Sequence, residues 1–282
     1  MFRIFARNIS ANATTTNSLL QREIYQENTV VRLVLNDGKV NALSLALIDE
    51  LLHELTAIDK IKKVRSVIVA HHGPAFSAGH QLKELRTDQG TEAHNKVFDR
   101  CTEMMTLIQR MKVPVIAEVN GTAAAAGCQL VAACDLVVAG KSSQFLVPGQ
   151  RVGLFCSTPG IPLARNIPSK VALDMLLTGE PINAETALRA GLISRLVEDS
   201  EVRVEALKVA EQIGRYSRSV TALGKGFFYA QKELSTADAY RYGSKVMVGN
   251  LKLKDCQEGI NAFLEKRHPE FEGTDELVEQ KQ

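Results

Sequence analysis

Apolar residues in this chain fall into short β-branched runs alternating with stripes at helical spacing. Val30–Leu35 alternates weakly and reads as a strand, followed by the turn D-G-K-V-N from Asp37 to Asn41. Ser44 can cap a helix whose apolar positions Leu47, Ile48, Leu51, Leu52, Leu55 and Ile58 share one face. Val67–Ala70 reads as a short buried strand ending in the loop H-H-G-P-A-F-S-A-G-H, His71 to His80. A helix then runs through Val97, Cys101, Met104, Met105, Ile108 and Met111. Pro114 stops it, and Val115–Val119 is the next strand. Asn120-Gly121 is a turn, Thr122 to Cys134 reads as a helix of small residues, and Asp135–Ala139 is again a strand. Repeated strand–helix order predicts β–α crossovers and a mostly parallel sheet. From about Ser169 the pattern is helical: Val171–Leu177 with Gly179 beyond it, Ala184–Ala190 with Gly191, then long helices from about Val202 to Leu264. The expectation is an α/β core carrying a helical C-terminal region, with no internal repeat and no low-complexity linker.

Composition narrows the function classes. The 282 residues can bury a large core, and Lys plus Arg (34) nearly balances Asp plus Glu (32), a formal net charge of +2. So small a net charge argues against a dedicated nucleic-acid binder. The chain has no apolar run of about 18 residues, so no membrane span is expected. Its five cysteines, Cys101, Cys128, Cys134, Cys156 and Cys256, form no C-x-x-C pair and read as buried thiols of a reducing compartment. Before Glu23 there are Arg3, Arg7 and Arg22, no acid, and many Ser, Thr and Asn residues. That composition reads as a mitochondrial transit peptide over residues 1–22, which places the mature protein in the matrix. The N-x-S/T matches at Asn8 and Asn12 are then accidental.

The search for chemistry finds no G-x-G-x-x-G, P-loop, G-x-S-x-G or H-E-x-x-H motif. Two loops that follow strands remain, Phe76–Leu82 and Asn120–Leu130. Their small residues allow a ligand to approach the backbone, and the second opens a helix whose first N–H groups are unpaired. Two such amides aimed at one point would form an oxyanion hole; the alternative is close helix–sheet packing that needs alanines. Other residues have bland readings. His71-His72 lacks a third metal ligand nearby and reads as loop. Cys156 could line a pocket, but no cationic neighbour is evident to activate its thiol. Arg151 reads as a surface residue and Glu84 as structural. The basic run Lys60 to Arg65 follows a helix, where cations suit the C-terminal dipole, and is read so in preference to an RNA contact.

Five segments in order give the sequence its resemblance: K-V-N-A-L-S (39–44), F-S-A-G-H-Q-L-K-E-L (76–85), residues 112–140, residues 178–197 and residues 257–271. Together they resemble the enoyl-CoA hydratase/isomerase, or crotonase, family from about Tyr25 to Phe271. The resemblance implies a spiral of β–β–α turns over residues 23–197, a helical trimerisation region over 198–271 and a disordered tail over 272–282. It implies a homotrimer or dimer of trimers acting in fatty-acid or acyl-CoA metabolism. No cofactor is implied beyond a coenzyme A thioester as substrate or ligand. The oxyanion-hole amides would belong to His80 and Ala126. The nucleotide and pantetheine would lie along Val40, Asn41, Ala42, Ala78, Gln81 and Leu82, with Phe263 and Lys266 of a neighbouring subunit helping. Family hydratases carry glutamates where this chain has Gln129 and Gly149. A carboxamide cannot take a proton from water and glycine offers no side chain, which disfavours hydration and isomerisation. Three functions stay open: decarboxylation of a malonyl-type thioester, non-catalytic acyl-CoA binding, and weak residual hydration.

Overall fold

The computed structural model describes residues 18–278; the expected transit peptide lies largely outside them. Two sheets carry the architecture. The first contains β1 (Leu20–Tyr25), β2 (Val30–Leu35), β3 (Ser66–His71), β5 (Val115–Val119), β7 (Leu136–Gly140) and β10 (Arg195–Val197), in the order β1-β2-β3-β5-β7-β10. The second contains β4 (Ala75–Ser77), β6 (Thr122–Ala124), β8 (Gln144–Leu146) and β9 (Ile182–Asn183), in the order β4-β6-β8-β9. Along the chain, β3, β5 and β7 each feed the first sheet and the strand after each, β4, β6 and β8, feeds the second. A helix follows each pair: α2 (Gly90–Arg110), α3 (Ala126–Ala133) and α4 (Ser157–Asn166). This is the expected spiral. The first sheet is parallel apart from β1, which runs antiparallel to β2.

The sheet is buried on both faces, as parallel strands require. Alternation along β2 sends Val31, Leu33 and Leu35 to the larger core with α1 (Leu45–Asp59), α2 and α3. Val30 and Val34 face a second core closed by Val202, Ala206, Val209 and Ala210 of α7 (Val202–Gly214). Arg32 shares that second face and is only 3% exposed. It donates two hydrogen bonds to Glu118 (2.8 and 2.7 Å) and one to Glu23 (2.9 Å), so the buried cation is fully paired.

Four expectations are corrected. The boundary at residue 22 cuts a strand, because β1 begins at Leu20 and pairs along its length with β2. The boundary at 197 separates α7 from the sheet it covers. Residues 272–278 of the expected disordered tail are docked: Lys254 N–H donates to Glu276, Val278 N–H to Lys252, and Gly273 N–H to the buried carboxylate of Asp255. Finally, Thr122–Ala124 is strand rather than helix, since its backbone pairs with β4 and β8. Beyond α5 (Ser169–Thr178) and α6 (Ala184–Ala190), the C-terminal helices are α8 (Arg218–Gln231), α9 (Thr236–Asn250) and α10 (Lys254–Glu265). Lys225 anchors α8, its ammonium reaching Asp135 at 2.6 Å and the carbonyls of Ile108 and Val113 at 2.7 and 3.0 Å. Tyr229 adds a 2.9 Å bond to the same carboxylate. By contrast α9 has no buried residue, and Met247, Val248 and Tyr240 lie open on it.

Candidate active site

The second sheet brings the site together. Its strands β4, β6 and β8 are parallel neighbours, with Ser77 beside Ala123 and Ala124 beside Leu146. The segments leaving their carboxyl ends, 78–80, 125–126 and 147–149, therefore emerge side by side. Two glycines set how closely they meet. A Cβ on Gly79 would stand 2.8 Å from Ala125 Cβ and 3.0 Å from Ala126 N. A Cβ on Gly127 would stand 2.5 Å from the Ser77 carbonyl oxygen. The chain before His80 thus lies directly on the amino end of α3.

Neither the His80 N–H nor the Ala126 N–H has a hydrogen-bond acceptor among the described residues. Ala125 turns the chain between β6 and α3 at φ +49°, ψ −119°, a conformation that costs a non-glycine residue about 1–3 kcal/mol. Bonds from Ala125 N to Leu146 O (2.9 Å) and from Gln129 N to Ala125 O (3.0 Å) hold it there. The turn leaves the first amide of α3 uncapped. Gln129 follows Ala126 by one helical turn on the same face and is 5% exposed, and its Oε1 is enclosed without a partner. The His80 ring places Nδ1 3.3 Å from the Leu43 carbonyl, which can only accept, so Nδ1 carries the hydrogen. Its Nε2 is then an acceptor, and it too is enclosed without a partner. The ring meets Phe98 edge-on, centroids 5.3 Å apart. Burial lowers the His80 pKa against the opposing Leu43 bond, so the ring is neutral near pH 7.

Val40, Asn41 and Ala42 do lie alongside Ala78, as the sequence suggests. Ala78 N–H donates to Val40 O, Ser77 Oγ to Asn41 O, and Leu43 N–H to Gly79 O. These bonds occupy the Val40 and Asn41 carbonyls and the Ala78 amide. The Asp37 carboxylate accepts from the amides of Lys39, Asn41 and Ala42 at 2.7–2.8 Å. Asn41 is 1% exposed, and its Nδ2 bonds the carbonyls of His72 and Ala75. Asn41 and Ala42 are therefore held as a rigid wall, while Val40 and Leu82 offer apolar surface. Asp37, the organiser of this wall, was readable as the Asx residue of the D-G turn. Gln81, beside Leu82, starts the short 3₁₀ turn that follows the loop.

Gly149 begins the turn after β8, and its surroundings leave no room for a side chain. A Cβ there would stand 1.8 Å from the Leu154 carbonyl oxygen and 2.8 Å from Cys156 Sγ. Leu154 N–H closes the turn onto Gly149 O at 2.9 Å. Burial pushes the Cys156 thiol up and the Cys128 thiol to about 12, so neither is a ready thiolate. All five cysteines are free. Phe263 and Lys266 are not brought to the loops within one chain. Phe263, 83% exposed, lines a groove with Tyr216, Val220, Ile260 and Phe271, and Lys266 is the left-handed residue ending α10. Among the other candidates, Glu84 is structural, accepting from Leu45 N–H at 2.9 Å. Arg151 pairs with Glu180 on the surface. His71 ends β3 and is not loop; its Nε2 accepts from Asn120 N–H at 3.2 Å. Lys60 is the C-terminal cap of α1. Among the described residues, no group of three His, Cys, Asp or Glu could hold a metal, and no helix is long and apolar enough to cross a membrane.

Comparison with known proteins shows the family and the fold. The enoyl-CoA hydratase/isomerase family profile matches residues 25–274. A Xenopus laevis protein named enoyl-CoA hydratase domain-containing protein 3, mitochondrial, is 49% identical over 247 residues, covering 87% of this chain and 84% of that one. Enoyl-CoA hydratase, mitochondrial, of Pongo abelii is 32% identical over 248 residues, covering 87% and 84%. The crystal structure of human enoyl coenzyme A hydratase domain-containing protein 3 superposes with a TM-score of 0.87 at 46% identity, over 90% of this chain and 100% of that one. The location read from the amino-terminal composition is the one these relatives carry in their names.

Proposed function

The chain belongs to the enoyl-CoA hydratase/isomerase family, and we propose that it holds the thioester carbonyl of an acyl-CoA on the amides of His80 and Ala126. The observation that carries this reading is the pair of unpartnered N–H groups set side by side by the Gly79–Ala125 approach. The wall of Val40, Asn41 and Ala42 against Ala78, with Gln81 and Leu82 beyond it, would flank the pantetheine and nucleotide. Phe263 and Lys266 would serve the site of a neighbouring protomer in a homotrimer or dimer of trimers. The bare surface of α9 supports such an assembly. The setting would be acyl-CoA metabolism in the mitochondrial matrix.

Gln129 and Gly149 stand where hydratases of the family would carry glutamates. Neither can deprotonate water, and each general acid–base contribution is worth about 10²- to 10⁴-fold. Thioester binding with at most slow hydration is therefore the reading favoured here. The crowding at Gly149 supports it, because the loop is closed over the place a carboxylate would need. Calorimetric titration with butyryl-CoA and with free CoA tests the claim: the thioester should bind more tightly, since only it has a carbonyl for the two amides. Equal affinities would overturn it. Crotonyl-CoA should be hydrated barely above background, and turnover typical of a hydratase would overturn the roles given to Gln129 and Gly149.

A further inference from the structure

The peptide that carries the His80 N–H joins it to Gly79, which sits at φ +88° and, as a glycine, resists rotation least. Something must therefore hold Gly79 still. Its carbonyl oxygen accepts from Leu43 N–H at 2.8 Å. In a trans peptide the N–H points opposite the C=O, so this bond aims the His80 N–H. The peptide on the other side of Gly79 is held by Ser77, whose Oγ accepts from Gly79 N–H at 3.2 Å. The same hydroxyl donates to Asn41 O at 2.7 Å, which ties it to the segment that supplies Leu43. Asn41 is itself fixed, because its Nδ2 bonds the carbonyls of His72 and Ala75, both at 2.8 Å. Ser77 is 0% exposed, and it also lies against the residue after Ala126: a Cβ on Gly127 would stand 2.9 Å from Ser77 Oγ.

We infer that Ser77 is a positioning residue for the His80 amide: its hydroxyl bridge between Asn41 and Gly79 locks the glycine swivel, without touching the ligand itself. The inference rests on the thioester-binding reading. An alanine at this position would fill nearly the same space, so packing alone does not call for the hydroxyl. It would leave the Gly79 N–H buried without its acceptor. That peptide would then turn to find another partner, and the His80 N–H would turn with it. A hydrogen bond to a developing or resting oxyanion depends on donor direction, so the loss falls on the thioester carbonyl. Free CoA has no carbonyl at that point and does not register the change.

The full chain and its Ser77→Ala variant are titrated calorimetrically with butyryl-CoA and with CoA. In the variant the preference for the thioester should fall about three- to ten-fold, the worth of one aimed hydrogen bond, while CoA affinity stays within about two-fold. Infrared difference spectra of bound butyryl-CoA, isotope-labelled at its carbonyl, give a second readout. The stretch should lie below its solution frequency on the unchanged chain and move back towards it in Ser77→Ala. Ser143→Ala is the matched control. Ser143 is also 0% exposed and donates to a backbone carbonyl, Val119 O at 3.2 Å, but it precedes β8, at the end of the second sheet away from the site. Its loss should lower stability and leave both preference and stretch unchanged. Butyryl-CoA no tighter than CoA on the unchanged chain would sink the thioester reading itself. A preference that survives Ser77→Ala, or one that falls equally in Ser143→Ala, would overturn the role of Ser77 alone, as would an equal loss of affinity for both ligands. If Ser77→Ala does not fold, Ser77→Cys, a weak donor and acceptor of similar shape, is judged by the same outcomes.

Discussion

Installing a side chain at Gly149 should damage the fold rather than create a catalyst. The smallest such change is Gly149→Ala. Its Cβ would stand 1.8 Å from the Leu154 carbonyl oxygen and 3.1 Å from the Leu154 carbonyl carbon. Ordinary carbon–oxygen contact needs well over 3 Å, so the 149–156 turn must open by more than an ångström. The Leu154 N–H to Gly149 O bond, 2.9 Å, ties the two strands of that turn together and resists the movement. Overpacking of this kind costs about 1–3 kcal/mol, and a lost hydrogen bond adds about 0.5–1.5 kcal/mol. The expected loss is therefore about 2–4 kcal/mol, a drop in Tm of about 5–15 °C in a chain of this size. Gly149 does not have the positive φ that favours glycine, so the harm comes from space alone. Gly160→Ala in α4 is the control. There the nearest atom is the flexible Leu176 Cδ1 at 3.3 Å, and the helix gains about 1 kcal/mol of propensity. Urea denaturation followed by circular dichroism measures both. A Gly149→Ala protein within about 0.5 kcal/mol of the parent would refute the steric argument. It would also reopen Gly149→Glu as a route to hydratase activity.

Other predictions follow from the same structure. Ala125→Gly should stabilise the chain by about 1 kcal/mol, because relief of the strained φ outweighs the added freedom of the unfolded glycine; measured destabilisation by denaturant would contradict it. Lys225→Met should cost about 3–5 kcal/mol in the same assay by leaving Asp135 buried without its cation, and Lys225→Met with Asp135→Asn should recover part of that. Acidification should weaken the fold through His80. Burial holds its folded pKa below the unfolded 6.5, so its contribution is complete above pH 6.5 and falls as pH drops from there towards the folded value. The slope of stability against pH between about 6.5 and 5 should be shallower in His80→Phe, and an unchanged slope would remove His80 from that titration.

How much could be read without the structure follows from range along the chain. The helix of Leu47–Ile58, capped by Ser44 through Leu47 N–H, was legible because periodicity and capping act within a few residues. So were the stops after α5 and α6, where Gly179 and Gly191 adopt the left-handed conformation. The parallel main sheet was legible from strand–helix order. The resemblance in five ordered segments supplied His80, Ala126, Gln129 and Gly149 as candidates, and the family it named is the one that matches. The second sheet was not legible, because three-residue strands such as β4, β6 and β8 are too short to show a period of two. Their pairing converts Thr122–Ala124 from apparent helix to strand and sets the three site loops side by side. Only the tertiary structure shows that Asp37 binds the amides of the wall and that Leu154 fills the space over Gly149. Each of those facts depends on which distant backbone or side chain arrives as neighbour, and local sequence holds no record of that.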